Sequence, residues 1–516
     1  MGKGWARLRG AVARHGAPAL AGMVWRTVRK LGVKGALGLA RQDRPFLSVD
    51  LSGPTAPKPG GWPPVLDARR TLADTSWARW LDARLAAARP RPALTPTTLF
   101  LFGPPRPMDA PSGLLGVLLQ PGDEPRPELG AALASVPDEV QVVTFDLFRR
   151  AGGAVEPLLL PGADPLLLAE RDYLFSRAAL RAGLFQAEGG VREAILAWCA
   201  GRSVAEIRAG WRHLGLPLVE AATIDPAVPA MPPPRAFPRP EPVSVVLCTR
   251  DKGHLTRQLC QRLLADEAVG EIVIVSNGTA NPYALQTLAD LAADPRVTVI
   301  QRDEPFNFSR LCNAGAGETR LWGPLLFLND DLTPVAEDWI AAMSVHLQSP
   351  DTGAVGPLLL YPDERVQHAG MVLRRLGGAG HLLRHARLPE DDYLGLAAST
   401  REVTAVTGAA LMVRRADFEA VGGFDEGLAI GLQDVDLCLK LRALGRRNVF
   451  EPRAVLLHME STSLKGVLAT PAIARQRHED HRLFIARWGE QVAAGDPFLP
   501  AGFDPEDETL HRLVKP

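Results

Sequence analysis

Three short stretches of this chain carry the residue types from which a metal-assisted group transfer is built. Asn329-Asp330-Asp331 follows the apolar run Leu325-Leu326-Phe327-Leu328 directly. Carboxylates at a strand end can hold Mg2+ or Mn2+, hard cations that take oxygen ligands and bridge to substrate phosphates. Helix capping by Asp330 or Asp331 is the plain structural alternative. Gln433-Asp434-Val435-Asp436 opens a segment in which Leu437, Leu439, Lys440 and Leu441 follow at helical spacing. Asp434 and Asp436 project about 200° apart on a helix, so one can face a reaction centre while the other serves the structure. Leu456-Leu457-His458-Met459-Glu460-Ser461 places an imidazole at the end of a short apolar run. Taken alone, that histidine reads as a core or surface residue.

These groups need elements that bring distant strand ends together. Residues 243–248 are apolar and β-branched, 255–264 have helical spacing, and 271–275 are strand-like. A helix is expected over 283–292, a strand over 297–300, a helix over 308–316 and a strand over 324–328. Repeated βαβ units predict an α/β, Rossmann-like, mostly parallel doubly wound sheet whose ligands bind beyond the carboxyl ends of its strands. Upstream, Pro226, Pro229, Pro232, Pro233, Pro234, Pro238, Pro240 and Pro242 exclude a helix over 224–242 and mark a linker. Apolar runs at 99–102, 114–119 and 140–148 predict a smaller α/β domain over 98–223. Residues 43–97 form a Pro/Ala-rich connecting region in which 76–88 can make one helix. A helix and tail are expected over 467–516.

The first 42 residues hold Lys3, Arg7, Arg9, Arg14, Arg26, Arg29, Lys30, Lys34 and Arg41, with no acidic residue before Asp43. Trp5, Leu8, Val12, Leu20, Met23, Val24, Val28 and Leu31 recur between them at roughly helical intervals. This is the pattern of an interfacial helix on anionic lipid, or of a basic solvated tail. Over the whole chain of 516 residues, 58 Lys+Arg balance 58 Asp+Glu, so charge gives no reason to expect nucleic acid as a partner. The five cysteines are scattered without C-x-x-C spacing, which fits a reducing compartment. No apolar run reaches the roughly 20 residues of a membrane span and no signal-peptide pattern opens the chain. A cytoplasmic protein is expected, peripheral on the inner face of the membrane if the basic segment binds lipid.

The order of motifs resembles a known family. VSVVLCTRDK (243–252), EIVIVSNGTAN (271–281), EPFNFSRLCNAGAGE (304–318), LLFLNDD (325–331), VGPLLLYPDERVQHAGMVL (355–373), VTGAALMVRRADFEAVGGFDEGL (406–428), LQDVDLCLKLRALGRRNVFEP (432–452) and LLHMES (456–461) together are similar to the family 2 inverting glycosyltransferases of the GT-A fold. The likeness is greatest to their bacterial O-antigen and surface-polysaccharide branch and spans 243–466. It implies a nucleotide-sugar donor and a hydroxyl acceptor on a lipid-linked or polysaccharide precursor. Asp331 matches the metal-binding carboxylate, with Asn329 and Asp330 completing its motif, and His458 matches a metal ligand of some members. Asp434 matches the general base. Thr249, Arg250 and Asp251, Ser276 and Asn277, and Asn307 and Asn313 match stretches that contact the donor.

Two positions depart from the pattern. Ser276-Asn277 stands where an acidic base-binding pair is usual, which leaves the donor's base open. Gln433 replaces the first acid of the E-D pair. Gly422-Gly423-Phe424-Asp425, Gln367-His368 and His381 read equally as packing or pocket. Residues 116–180 are similar to the middle and end of a second domain of this family, with Asp123 left of its acidic motif and no base or terminal histidine. That half is expected to be a degenerate, noncatalytic GT-A-like domain. A wholly noncatalytic scaffold that recruits a partner enzyme is the alternative reading, against which Asp331, Asp434 and His458 stand together.

Overall fold

The computed structural model describes residues 98–102, 115–151, 154–186, 190–224, 237–376, 378–459 and 471–510. The basic segment 1–42, the region 43–97 and most of the linker 224–242 lie outside the described residues. No helix among the described residues is long and apolar enough to cross a membrane.

The second half is built on a ten-stranded sheet. Val297–Gln301, Val269–Ser276, Val243–Thr249 and Leu325–Asn329 lie side by side in that order, all parallel. Side chains alternate across each strand, and both faces are covered. Val245 and Leu247 share one core with Leu259, Leu263 and Leu288 of the helices Gly253–Ala265 and Pro282–Leu291. Val246 and Val275 share the other with Leu311 and Cys312 of the helix Phe308–Gly317. Burial on both sides is why these strands read as unbroken apolar runs. Gly315 lets that last helix lie close, since a Cβ there would come within 2.5 Å of Val246 Cγ1. Asn281 followed by Pro282, and Asn307, start two of the helices by accepting backbone N–H groups.

The α/β expectation holds, and the winding changes direction past Leu325–Asn329. Ala410–Val413 runs antiparallel to that strand, and Thr352–Leu360 antiparallel in turn. Arg447–His458 then pairs parallel with Thr352–Leu360, and Leu332–Pro334 closes the edge antiparallel to it. Two reversals restore the original direction, so Arg447–His458 ends at the same sheet edge as Leu325–Asn329.

The first half repeats this plan in miniature. Its seven-stranded sheet has the order Thr98–Phe102, Leu115–Leu119, Ala178–Arg181, Val142–Ala151, Trp211–Ala221, Glu124–Pro125, with Ala154–Leu158 beside Val142–Ala151. Each of these strands corresponds in chain order, neighbour and direction to one of the larger sheet. Among the described residues the smaller sheet has no counterpart of Val269–Ser276 and Val297–Gln301, the two outer parallel strands of the larger one. The halves are joined by polar contacts. Tyr393 Oη donates to Leu159 O (2.8 Å), Glu402 N–H donates to Asp164 Oδ2 (3.0 Å), and Glu402 pairs with both Arg208 and Arg442.

Candidate donor and metal site

Strand register brings the predicted acidic triplet and histidine together. Asn329 is opposite Cys248 and Leu332 is opposite His458, so Thr249, Asp330, Asp331 and His458 meet at one carboxyl edge. His458 Nε2 lies 3.0 Å from Asp331 Oδ1, and Met459 N–H donates to Asp331 O (3.0 Å). His458 Nδ1–H donates to Gln367 Oε1 (2.6 Å). Asp330 Oδ2 accepts from the Thr249 hydroxyl (2.8 Å), which also contacts Thr256 Oγ1 (2.9 Å).

One further residue belongs here that motif reading did not single out. Lys252 Nζ is 3.1 Å from Asp330 Oδ1 and 3.4 Å from Asp331 Oδ2. Its only sequence signal is that it is, with Arg250, one of two cations just past a buried strand. Burial pushes the Asp330 carboxyl above the usual range, even with Lys252 and Thr249 beside it. Asp331 is buried too, yet its hydrogen bond and charge contact with His458, reinforced by Lys252, hold it below that range. Of the two, Asp331 is the more readily ionised.

Asp434 approaches from another direction. Leu432, at a positive φ of 65°, turns the chain into the helix Gln433–Ala443, and Asp434 sits half-buried in its first turn. Its Oδ2 accepts Gly408 N–H (2.8 Å) and its Oδ1 accepts Val435 N–H (2.9 Å). Asn329 N–H donates to the neighbouring Ala409 O (2.9 Å), so the 408–409 segment ties Asp434 to the acidic triplet. Desolvation raises the Asp434 pKa above the ordinary carboxylate value, and those backbone hydrogen bonds only partly offset it. Asp436 points elsewhere, accepting from Trp488 Nε1–H (2.9 Å) and Arg487 (2.5 Å) on the helix Pro471–Ala494. The helical spacing of the two acids is thus resolved into one tied to the triplet's segment and one holding the C-terminal helix.

The remaining predicted donor contacts divide. Asp251, at φ 57°, accepts N–H groups of Ala280 and Asn281 (2.7 Å each), which keep its carboxyl below the usual range and pin two loops. Arg250 is exposed. Ser276 Oγ donates to Thr279 Oγ1 (2.9 Å). Asn277 Nδ2 donates to Arg302 O (2.8 Å) and Glu304 O (2.9 Å). Both partners are carbonyls, so the amide orientation is fixed and Oδ1 is left as a buried acceptor without a hydrogen bond. Asn307 caps its helix and donates to Glu426 O, and Asn313 brackets Phe424 by accepting its N–H and donating to its O. These two amides brace the 424–426 turn. His368 contacts His381, Nδ1 to Nδ1 at 2.9 Å, and accepts Gly370 N–H at Nε2.

The residues at the sheet edge fit a divalent cation. With Nδ1 engaged by Gln367, His458 presents Nε2 to a carboxylate oxygen of Asp331 at 3.0 Å, a nitrogen and an oxygen of the types that ligate divalent cations. The Gln367 contact is the outer support that fixes a ligating imidazole. Among the described residues no group of three or more His, Cys, Asp or Glu gathers as a cage. The protein therefore offers a two-ligand platform of the kind that substrate phosphates complete.

In the first half, Asp123 holds the place of Asp331, after the strand Leu115–Leu119 and before Glu124–Pro125. Arg177 grips it through Nε (2.7 Å) and Nη2 (2.8 Å), and Ala222 and Gln120 donate backbone N–H groups to it. Its carboxylate is fully spent on structure.

No family model matches the chain. Curated relatives do. It is 38% identical to protein y4gI of Sinorhizobium fredii over 50% of this chain and 29% of that one. It is 37% identical to the O-antigen biosynthesis protein RfbC of Myxococcus xanthus over 43% of this chain and 18% of that one. The N-acetylglucosaminyl-diphospho-decaprenol L-rhamnosyltransferase of Mycobacterium tuberculosis is 27% identical over 47% of this chain and 83% of its own. The chain spans less than a third of the length of the first two. Among solved structures, a Pyrobaculum calidifontis mannosyltransferase aligns over 50% of this chain and 76% of its own at 16% identity, with a TM-score of 0.34. The resemblance drawn from the motifs is borne out by the curated relatives, whose names include an O-antigen biosynthesis protein and a rhamnosyltransferase.

Proposed function

We propose that the second half is an inverting glycosyltransferase that moves a sugar from a nucleoside-diphosphate sugar to a hydroxyl of a lipid-linked or surface polysaccharide precursor. The observation that carries this reading is the Asp331–His458 pair at 3.0 Å, tied through the 408–409 segment to the half-buried carboxylate of Asp434. Asp331 and His458 would hold Mg2+ or Mn2+, which when bound neutralises charge that develops on the departing diphosphate. Asp434 takes the proton of the acceptor hydroxyl as that oxygen attacks the anomeric carbon, while the bond from that carbon to the diphosphate oxygen breaks. Thr249, Arg250 and Asp251 line the nucleoside side with Ser276. Asn277 presents its free Oδ1 to a ring N–H of the base. Asn307 and Asn313 shape this pocket through the turn they brace, and Asn329 and Asp330 complete the floor.

A lipid-linked acceptor accords with the rhamnosyltransferase relative, whose name specifies a decaprenol carrier. Residues 1–42 would then rest on the anionic inner face of the membrane. Screening nucleotide-sugars for Mn2+-dependent turnover tests the assignment, with Asp331→Ala as the discriminating variant. The variant should lose about a hundredfold or more in Mn2+-dependent affinity for the nucleoside diphosphate. Full retention of that affinity would sink the metal assignment.

A further inference from the structure

Lys252 has no part in the chemistry above. It stands between the strand Val243–Thr249 and the helix Gly253–Ala265, directly after Asp251, whose carboxylate is clamped by two backbone N–H groups. The lysine's backbone is thus fixed while its four-carbon stem keeps its reach. Its ammonium takes one oxygen of Asp330 and one of Asp331, Thr249 takes the other oxygen of Asp330, and His458 faces the other oxygen of Asp331. The protein itself therefore engages every oxygen of the acidic pair, and a divalent cation gains one only if a resident partner yields.

The first half shows the fixed form of the same solution. Arg177 is bidentate on Asp123, and its side chain is 1% exposed. Lys252 makes longer contacts and its side chain is 19% exposed. One cation is lodged and the other can leave. Resting on the proposed function, we infer that Lys252 is a resident counter-cation that holds Asp330 and Asp331 while the donor site is empty. It turns to the donor's diphosphate when the divalent cation takes its place, so that metal binding depends on the donor.

Mn2+ binding to the full chain at about pH 8, followed by the electron paramagnetic resonance signal of free Mn2+, tests this without turnover. Wild type should bind Mn2+ weakly alone and more tightly with UDP or dTDP. Lys252→Met should bind Mn2+ alone about 10–1000-fold more tightly, the range by which a neighbouring like charge disfavours a charged state, and should bind UDP or dTDP less tightly in Mn2+. Lys252→Arg, which keeps the charge, should match wild type for Mn2+ alone, and the second neutral variant Lys252→Gln should agree with Lys252→Met. Unchanged affinity for Mn2+ alone in both neutral variants, with wild-type melting temperatures, overturns the inference. Absence of Mn2+ binding to wild type with either nucleotide removes instead the metal-dependent reading on which it rests.

Discussion

Replacing Asp434 with asparagine isolates the proton-transfer step. Asparagine has nearly the same shape, and its amide oxygen can still accept the Gly408 N–H that Asp434 Oδ2 accepts at 2.8 Å, at the loss of the Val435 N–H that Oδ1 accepts at 2.9 Å, worth about 1–3 kcal/mol. The helix start and the 408–409 segment should therefore keep their places, and what disappears is basicity. A positioned base contributes about 100- to 10,000-fold, equivalent to about 2.7–5.5 kcal/mol of transition-state stabilisation. Asp434 makes no hydrogen bond to Asp331, His458 or Lys252, so donor affinity should change by less than about threefold, the worth of a small hydrogen-bond adjustment. Desolvation raises the Asp434 pKa, so in wild type kcat should fall, as pH is lowered, through a value above the ordinary carboxylate range, because a protonated carboxyl cannot accept a proton. The asparagine variant should lack that limb. Initial rates at saturating nucleotide-sugar across pH, with donor binding measured separately, give both quantities. Turnover within tenfold of wild type with the acid limb intact would refute the assignment of Asp434 as base.

Two other outcomes concern stability. Asp123→Asn leaves the buried Arg177 guanidinium without its counter-charge and should cost about 3–5 kcal/mol in chemical denaturation, with kcat per folded molecule unchanged; loss of turnover at undiminished stability would place chemistry in the first half. Burial pushes Asp392, which accepts Ala397 N–H at the junction of the halves, up to about 7. Because that pKa is raised on folding, its contribution to stability is complete below the ordinary carboxylate value and is lost as pH rises through about 7. The melting temperature should therefore drop between about pH 4 and pH 7 in wild type and much less in Asp392→Asn, and equal slopes in the two proteins would exclude Asp392 as the source.

The order of elements from residue 243 to 329 was legible because parallel strands covered on both faces must be apolar throughout, and the intervening helices carry their own start signals in Asn281-Pro282 and Asn307. The reversal at Ala410–Val413 was not, since a fully buried strand has the same composition whichever way it runs. Helical geometry by itself separates Asp434 from Asp436, and the structure gives the second of them to Arg487 and Trp488. Asn307 and Asn313 match donor-contacting positions by motif, but their amides brace the turn at 424–426, because a motif records residue type and not which neighbour takes its hydrogen bonds.

By itself the sequence determined the α/β class and the acids and histidine that end the central strands, and it carried the resemblance to glycosyltransferases, because residue type, apolar pattern and motif order are local properties of a chain. Only the tertiary structure decided which of them meet. His458 reaches Asp331 across 127 residues, Lys252 reaches Asp330 across 78, and Asp434 is tied to the triplet through Gly408. Strand order and register set those pairings, and they follow from hydrogen bonding between segments far apart in the chain, which no local spacing encodes. The same holds for Asp123, whose sequence context resembles that of Asp331 but whose carboxylate the fold gives to Arg177.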